Sequence, residues 1–108
     1  MTTAIVVTTT TGTRHDAEQI AARLIGERVA ACVQVSGPLE STFRWEGAPQ
    51  TSAEWLLTIK TLASLYERVE QTILAVHPYE LPEIIAVPIV AAHAGYLTWL
   101  AQTLESDA

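Results

Sequence analysis

Between His77 and Glu83 the chain reads HPYELPE, which places an imidazole, a phenol and two carboxylates on His77, Tyr79, Glu80 and Glu83. An imidazole suits copper(II), and carboxylates beside it can complete a coordination shell or draw the ion electrostatically. The same imidazole can serve as a base, or sit as a cap at a helix C-terminus, where a positive ring meets the negative end of the dipole. Lys60 ends a strand-like run. Carried across a sheet to this patch, it would form an ion pair with a glutamate or supply an anion-binding group in a cleft. Cys32 has two open roles: a small core residue, as free cysteines commonly are, or a soft thiolate ligand. His15 and His93 stand in polar contexts at helix starts and are expected on the surface. Nucleophile elbow, Walker loop, zinc spacing and dinucleotide fingerprint are all absent, so the expectation is a protein without catalysis.

Positioning that patch requires the elements on either side of it. Ala4–Thr10 is β-branched and reads as a central strand. Thr13 then stands three residues before Asp16 as a helix cap, and Ala17, Ile20, Ala21, Leu24 and Ile25 follow at helical spacing to an end near Glu27 or Arg28. Ala30–Val35 and Leu39–Trp45 read as one bent strand interrupted by Gly37-Pro38, where proline demands a bulge or an edge. A turn over Glu46–Pro49 leads to a strand over Glu54–Thr61, with Trp55, Leu57 and Ile59 on one face and Leu56, Thr58 and Lys60 on the other. Ser64-x-x-Glu67 has the form of a capping box, and Leu65, Val69, Ile73 and Val76 form the stripe of a second helix. His77-Pro78 ends that helix, because a residue before proline avoids helical dihedrals. A fourth strand over Glu83–Val90, marked as an edge by Pro88, carries Ile84 to Val87 into the core. Gly95–Leu104, with Tyr96, Trp99, Leu100 and Leu104, is the last helix.

The order β-α-β-β-α-β-α is the ferredoxin-like, split βαβ pattern of an α+β fold, with a long bent central hairpin. Right-handed crossovers put both main helices on one sheet face and leave the other bare, to be buried against further copies of the chain. Trp45 and Glu46 fall at the hairpin tip, where Trp45 makes best sense as an interface anchor on a neighbour.

The 108 residues fit one domain, 1–108, and 49% of them are apolar, enough for a modest core. A net charge of −6 with no basic run argues against nucleic acid and against an anionic membrane as partners. A single cysteine and an N-terminus without a basic, apolar leader point to the cytoplasm.

The segments ERVAAC, STFRWEG, LLTIKT, HPYELPEIIAVP and YLTWL occur in this order from Ile5 to about Leu104. In this the chain resembles the CutA family, the divalent-cation tolerance proteins. The resemblance implies a homotrimer with inward-facing sheets, similar in architecture to PII-type signalling proteins. It also implies a link to copper or another divalent cation, with no organic cofactor. Some copper-binding members of that family carry a cysteine where this chain has Thr9 and a second histidine where it has Val76, so only His77 of that donor set is kept. Three functions follow: a weakly metal-binding trimer, a PII-like sensor of a small anionic ligand in inter-subunit clefts, and an enzyme using Lys60, His77 and the glutamates.

Overall fold

In the computed structural model residues 3–105 are described; Met1, Thr2 and residues 106–108, with the start of the stretch read above for a leader, lie outside them. The β-branched run at the N-terminus forms β1 (Ala4–Thr11), in which Ile5, Val7, Thr9 and Thr11 are buried on one side while Val6, Thr8 and Thr10 are half-buried on the other. This is the two-residue period of a strand with one face in the core and the other only partly covered. After α1 (Arg14–Gly26) come the long arms β2 (Cys32–Trp45) and β3 (Ala48–Leu62), then α2 (Tyr66–Val76), the short β4 (Ile85–Pro88) and α3 (Ala94–Glu105). The sheet order is β2-β3-β1-β4, with every neighbouring pair antiparallel. Each βαβ unit therefore has a strand inserted between its two strands, as the split pattern requires.

The core lies between one sheet face and the first two helices. Ala17, Ile20 and Leu24 of α1 meet Val69 and Ile73 of α2 over Ile5, Val7, Leu57 and Ile59. The Thr13 hydroxyl accepts from the Asp16 amide at 3.1 Å, the expected cap. At the other end of α1, Arg28 takes the left-handed φ of 60° that usually falls to glycine. Its amide and that of Val29 close back on Ile25 and Leu24.

Three local expectations are corrected, for Ser64, the hairpin loop and β4, while the break expected at Gly37-Pro38 is in place. Ser64 does not cap α2: it lies inside a 3₁₀ turn over Ala63–Leu65, one residue short of the helix, so its hydroxyl has no first-turn amide to meet. The loop expected over Glu46–Pro49 shrinks to Glu46-Gly47, at φ 50° and 81°, and Ala48 already pairs with Trp45. Two positive φ values suit a tight hairpin turn, so pairing extends through a polar stretch that no core requires. The bend sits at the register shift between Ser36 and Leu39, where a Cβ on Gly37 would fall 2.9 Å from the Trp55 ring. Finally, β4 is shorter than Glu83–Val90. Only Ile84 packs on the core; Ile85 and Val87 are exposed at 53% and 52%.

The second sheet face is not wholly bare. α3 seats Leu100 on Ala4 and Leu62, with Leu97, Leu104 and Ile89 packed around them. Beyond this end the face stays open, in rows that run Val87–Val6–Lys60–Cys32 and Ile85–Thr8–Thr58–Gln34 across the four strands.

Two buried threonines of this fold give opposite expectations for one substitution. The Thr61 hydroxyl donates to the Val29 carbonyl at 2.6 Å, whereas the Thr9 hydroxyl has no partner among the described residues. Thr61→Val should destabilise the protein by about 1 kcal/mol or more, and Thr9→Val should stabilise it by a similar amount, because an unpaired buried hydroxyl costs about 1–3 kcal/mol. Denaturant midpoints at unchanged m-value measure both; shifts of the same sign would refute the assignment.

Candidate functional site

The site begins where α2 ends. The His77 amide still donates to the Ile73 carbonyl at 2.8 Å, and Pro78 prevents a further turn. The His77 ring then bridges two segments. Nε2 lies 2.8 Å from the Thr10 carbonyl, and Nδ1 lies 3.1 Å from the Tyr79 amide. A carbonyl only accepts and an amide only donates, so Nε2 carries the proton and Nδ1 the lone pair. The imidazole is thus a neutral clamp between the end of β1 and the segment after α2, with both nitrogens occupied.

The clamp aims Tyr79. Its ring lies 4.9 Å from that of His77, and its hydroxyl donates to Glu54 Oε2 at 2.7 Å. Gly12 leaves room for this crossing: a Cβ there would stand 3.3 Å from the Tyr79 oxygen. Glu54 is only 7% exposed and sits in β3 opposite Leu39, beside the bend. Burial, then the hydrogen bond and charge of Glu54, with a smaller effect of Asp16, push the Tyr79 phenol up to about 12.

Between this pair and the outer hairpin arm runs a groove of about 700 Å³. One wall carries Ser41, Thr42, Phe43 and Trp45, with Gln50 and Glu54 from the facing strand. The other is the segment Tyr79, Glu80, Leu81 and Glu83, and Thr10 lies at the end of β1. Its ionisable groups are three glutamates and the phenol; no Lys, Arg or His lines it.

Of the residues singled out in the sequence, His77, Tyr79, Glu80, Glu83 and Trp45 do come together here, His77 as support behind the wall. Glu46 is exposed at the turn. Lys60 lies elsewhere, which corrects its expected approach to this patch. It is six positions along β3 from Glu54, about 20 Å at strand rise, and its ammonium is bonded to Gln34. Cys32 stands across from Lys60 on the open face, half-buried rather than in the main core, and shares no site with His77. Thr9 is buried on the helix side of β1, and Val76 packs against the core. His15 and His93 are exposed, and His93 Nδ1 accepts from the Tyr96 amide at the start of α3. No group of three or more His, Cys, Asp or Glu side chains among the described residues is placed to hold a metal ion.

Glu54, Phe43 and Leu81 are among the groove residues that the sequence reading does not single out. Glu54 was placed only as the first residue of a strand. No signal in the sequence marks it, because Glu54 comes beside the Gly37-Pro38 break only through the pairing of β2 with β3.

The CutA1 divalent ion tolerance protein family matches residues 5–103. Protein CutA 1, chloroplastic, of Oryza sativa is 42% identical over 96 residues, which are 89% of this chain and 54% of that protein, so the chain spans about half the length of this plant relative. The divalent-cation tolerance protein CutA of Thermus thermophilus is 39% identical over 95 residues, 88% of this chain and 92% of that one. The crystal structure of CutA1 from Oryza sativa superposes with a TM-score of 0.90 at 40% identity, covering 94% of this chain and 93% of that one.

The Tyr79–Glu54 contact can be read by titration. Difference absorbance at 295 nm between wild type and Tyr79→Phe should show the Tyr79 phenolate forming near pH 12, about two units above an ordinary tyrosine. Glu54→Gln removes the negative charge and should bring that transition down. Because the folded value is raised, the contact's stabilisation is complete below about pH 10 and lost as pH climbs through 12. A Tyr79 transition near 10 in the folded wild type would contradict the geometry.

Proposed function

Since this chain belongs to the CutA1 divalent ion tolerance family, we propose that it serves divalent-cation tolerance as a cytoplasmic homotrimer, gathering cations weakly at the groove and catalysing no reaction. The observation that carries this is the composition of the groove: carboxylates from Glu54, Glu80 and Glu83, hydroxyls and an amide, with no cationic side chain in its lining. Such a cleft concentrates cations by its field, and the field of a concave, partly desolvated surface exceeds that of a flat one. The same composition gives the alternative, a small anionic ligand in a PII-like cleft, little to bind to.

Weakness follows from geometry. Divalent ions held tightly need several donors converging at about 2.0–2.6 Å, and no such group is preformed among the described residues. Copper(II) can recruit the His77 imidazole only by displacing the Thr10 carbonyl or the Tyr79 amide from it. Of the donor set that the resemblance suggested, the chain keeps only His77, Thr9 and Val76 standing at the other two positions, and Cys32, a separate candidate, lies on the open face away from it.

Assembly is supported by what the monomer leaves uncovered. Ile85 and Val87 are exposed on the open sheet face, and Trp45 is 43% exposed at the tip of a hairpin that helps stretch the molecule to 45 Å. Apolar surface of this kind marks an interface. The cytoplasmic placement rests on the single cysteine; the rice relative is named chloroplastic. No helix of the described residues is long and apolar enough to cross a membrane.

Two measurements test the proposal. Light scattering on a sizing column should return three times the chain mass, and Trp45→Ala should dissociate the assembly or cost on the order of 3 kcal/mol per site; a wild-type monomer at micromolar concentration would end the trimer reading. Calorimetric titration with copper(II) should give a dissociation constant weaker than about 1 μM, with further loss in His77→Ala and in Glu80→Gln/Glu83→Gln. Submicromolar binding that survives His77→Ala would move the site away from this groove.

A further inference from the structure

The helix layer carries a second cleft, smaller than the groove at about 250 Å³. Arg23 and Glu27 at the end of α1 line it on one side, and Arg68, Gln71 and Thr72 of α2 on the other. Both helices pack on the sheet face opposite the open one, so assembly through the open face leaves this cleft in water. Its donors already hold an anion. The Arg23 Nε–H donates to one oxygen of the Glu27 carboxylate, and the Thr72 hydroxyl donates to the other at 2.9 Å. Glu27 is the C-cap of α1, where the negative end of the helix dipole opposes a carboxylate. Its carboxyl is nevertheless held below the ordinary range, first by the Arg23 hydrogen bond, then by that of Thr72, with the charges of Arg23 and Arg68 adding to them. The donors thus converge on a position that the helix itself disfavours for a negative charge. Arg68 makes no hydrogen bond or ion pair among the described residues, so the cleft sets two guanidinium groups against one carboxylate in a chain of net charge −6.

We infer that this cleft is a binding site for a small dianion of the phosphate-monoester class, with Glu27 as a tethered occupant that the ligand displaces. Glu27 turns out to solvent, and ligand oxygens take its place between Arg23 and Thr72 while others meet Arg68 and Gln71. The Glu27 side chain is 37% exposed, which leaves it room to turn, and an exposed pair such as Arg23–Glu27 contributes little to stability, so its release costs little. Guanidinium groups match phosphate oxygens with paired N–H donors. A dianion brings two charges to two guanidinium groups where Glu27 brings one, and that difference drives the exchange. Size sets the rest: the cleft falls below the roughly 300 Å³ at which pockets for drug-sized ligands begin, so it takes a phosphate group and little beyond. The inference stands apart from the groove, which lies elsewhere and attracts the opposite sign.

The test titrates the intact, isotope-labelled protein with methyl phosphate at fixed ionic strength and about pH 8, where the second proton is lost, and follows the arginine Nε–H signals by NMR. The Arg23 and Arg68 signals should shift and saturate with a dissociation constant of about 1–10 mM. Methyl sulfate, a monoanion of the same shape, should bind at least about tenfold more weakly, and so should methyl phosphate to Arg68→Gln. Glu27→Ala, with the occupant gone, should bind methyl phosphate at least about tenfold more tightly than wild type, and Glu27→Gln, which keeps the shape, about threefold more tightly. A Glu27 that only ties the helices together predicts no gain on its removal. Unchanged or weaker binding in Glu27 variants with a wild-type backbone spectrum would therefore overturn the inference. So would shifts that never saturate in wild type and Glu27→Ala alike, equal binding of methyl sulfate, or full affinity in Arg68→Gln.

Discussion

The wall of the groove depends on one imidazole. His77 stands at the last amide of α2, and its ring spends both nitrogens on backbone: a proton to the Thr10 carbonyl and a lone pair to the Tyr79 amide. Thr10 lies near the end of β1, paired with Leu56 of β3 but past the last pairing with β4 at Thr8, so the clamp fastens the segment after α2 to the stretch of β1 that β4 leaves uncovered. From that fixed point Tyr79 can reach only a limited arc, and Glu54 lies on it. Glutamate buried at the bend of a hairpin would otherwise carry the full cost of a desolvated charge. The phenol reduces that cost by donating, and the pKa of Tyr79 is raised first by its own burial and then by this same hydrogen bond.

Where the core enforces a pattern, the sequence could be read. Alternation in β1, the cap at Thr13, the stripe through Val69 and Ile73, and the stop at His77-Pro78 all have burial or backbone geometry behind them, and the structure has them in place. The outer hairpin does not. Residues 48–53 carry no large apolar side chain and are mostly exposed, and they pair because a two-residue turn puts the arms in register. Ser64 had the spacing of a cap, but spacing does not tell a 3₁₀ turn from a helix start. The site divides along the same line. His77, Tyr79, Glu80 and Glu83 are neighbours in the chain and so were visible together. Glu54 is 25 positions from Tyr79, and the bend that brings it inward is set by the steric needs of Gly37 rather than by any feature of Glu54 itself. Lys60 was misplaced for a related reason: a strand end and a loop that are both polar need not share an end of the sheet.

The sign of the groove owes as much to where the cations are as to where the glutamates are. Arg14 pairs with Glu18, and Arg23 with Glu27, along α1. Glu27, drawn on by Arg23 and Thr72, keeps its carboxyl below the ordinary range and is fully occupied between the two helices. Arg44 turns toward the Gly47 carbonyl at the hairpin tip, and Lys60 is bonded to Gln34 on the open face. Exposed pairs of this kind add little to stability. Their consequence is distributional: Glu18 and Glu27 have arginine partners along α1, while Glu54 in the groove has the Tyr79 phenol.

The open sheet face and the groove are not independent surfaces. Ile85 and Val87 lie on that face, while Leu81 and Glu83, only a few residues earlier in the same segment, form the groove rim. At the other side Trp45 belongs both to the groove wall and to the exposed hairpin tip. A subunit seated on β4 therefore meets the groove at its edge, and one that grips the hairpin tip takes hold of the opposite wall. Burying Ile85, Val87 and Trp45 would exclude water from the space between them. Charges inside would then interact through a lower effective dielectric, which strengthens the attraction of Glu54, Glu80 and Glu83 for a cation and raises the cost of leaving them unpaired. Under the proposed function, assembly and cation binding would thus use one strip of surface, and each would change the free energy of the other.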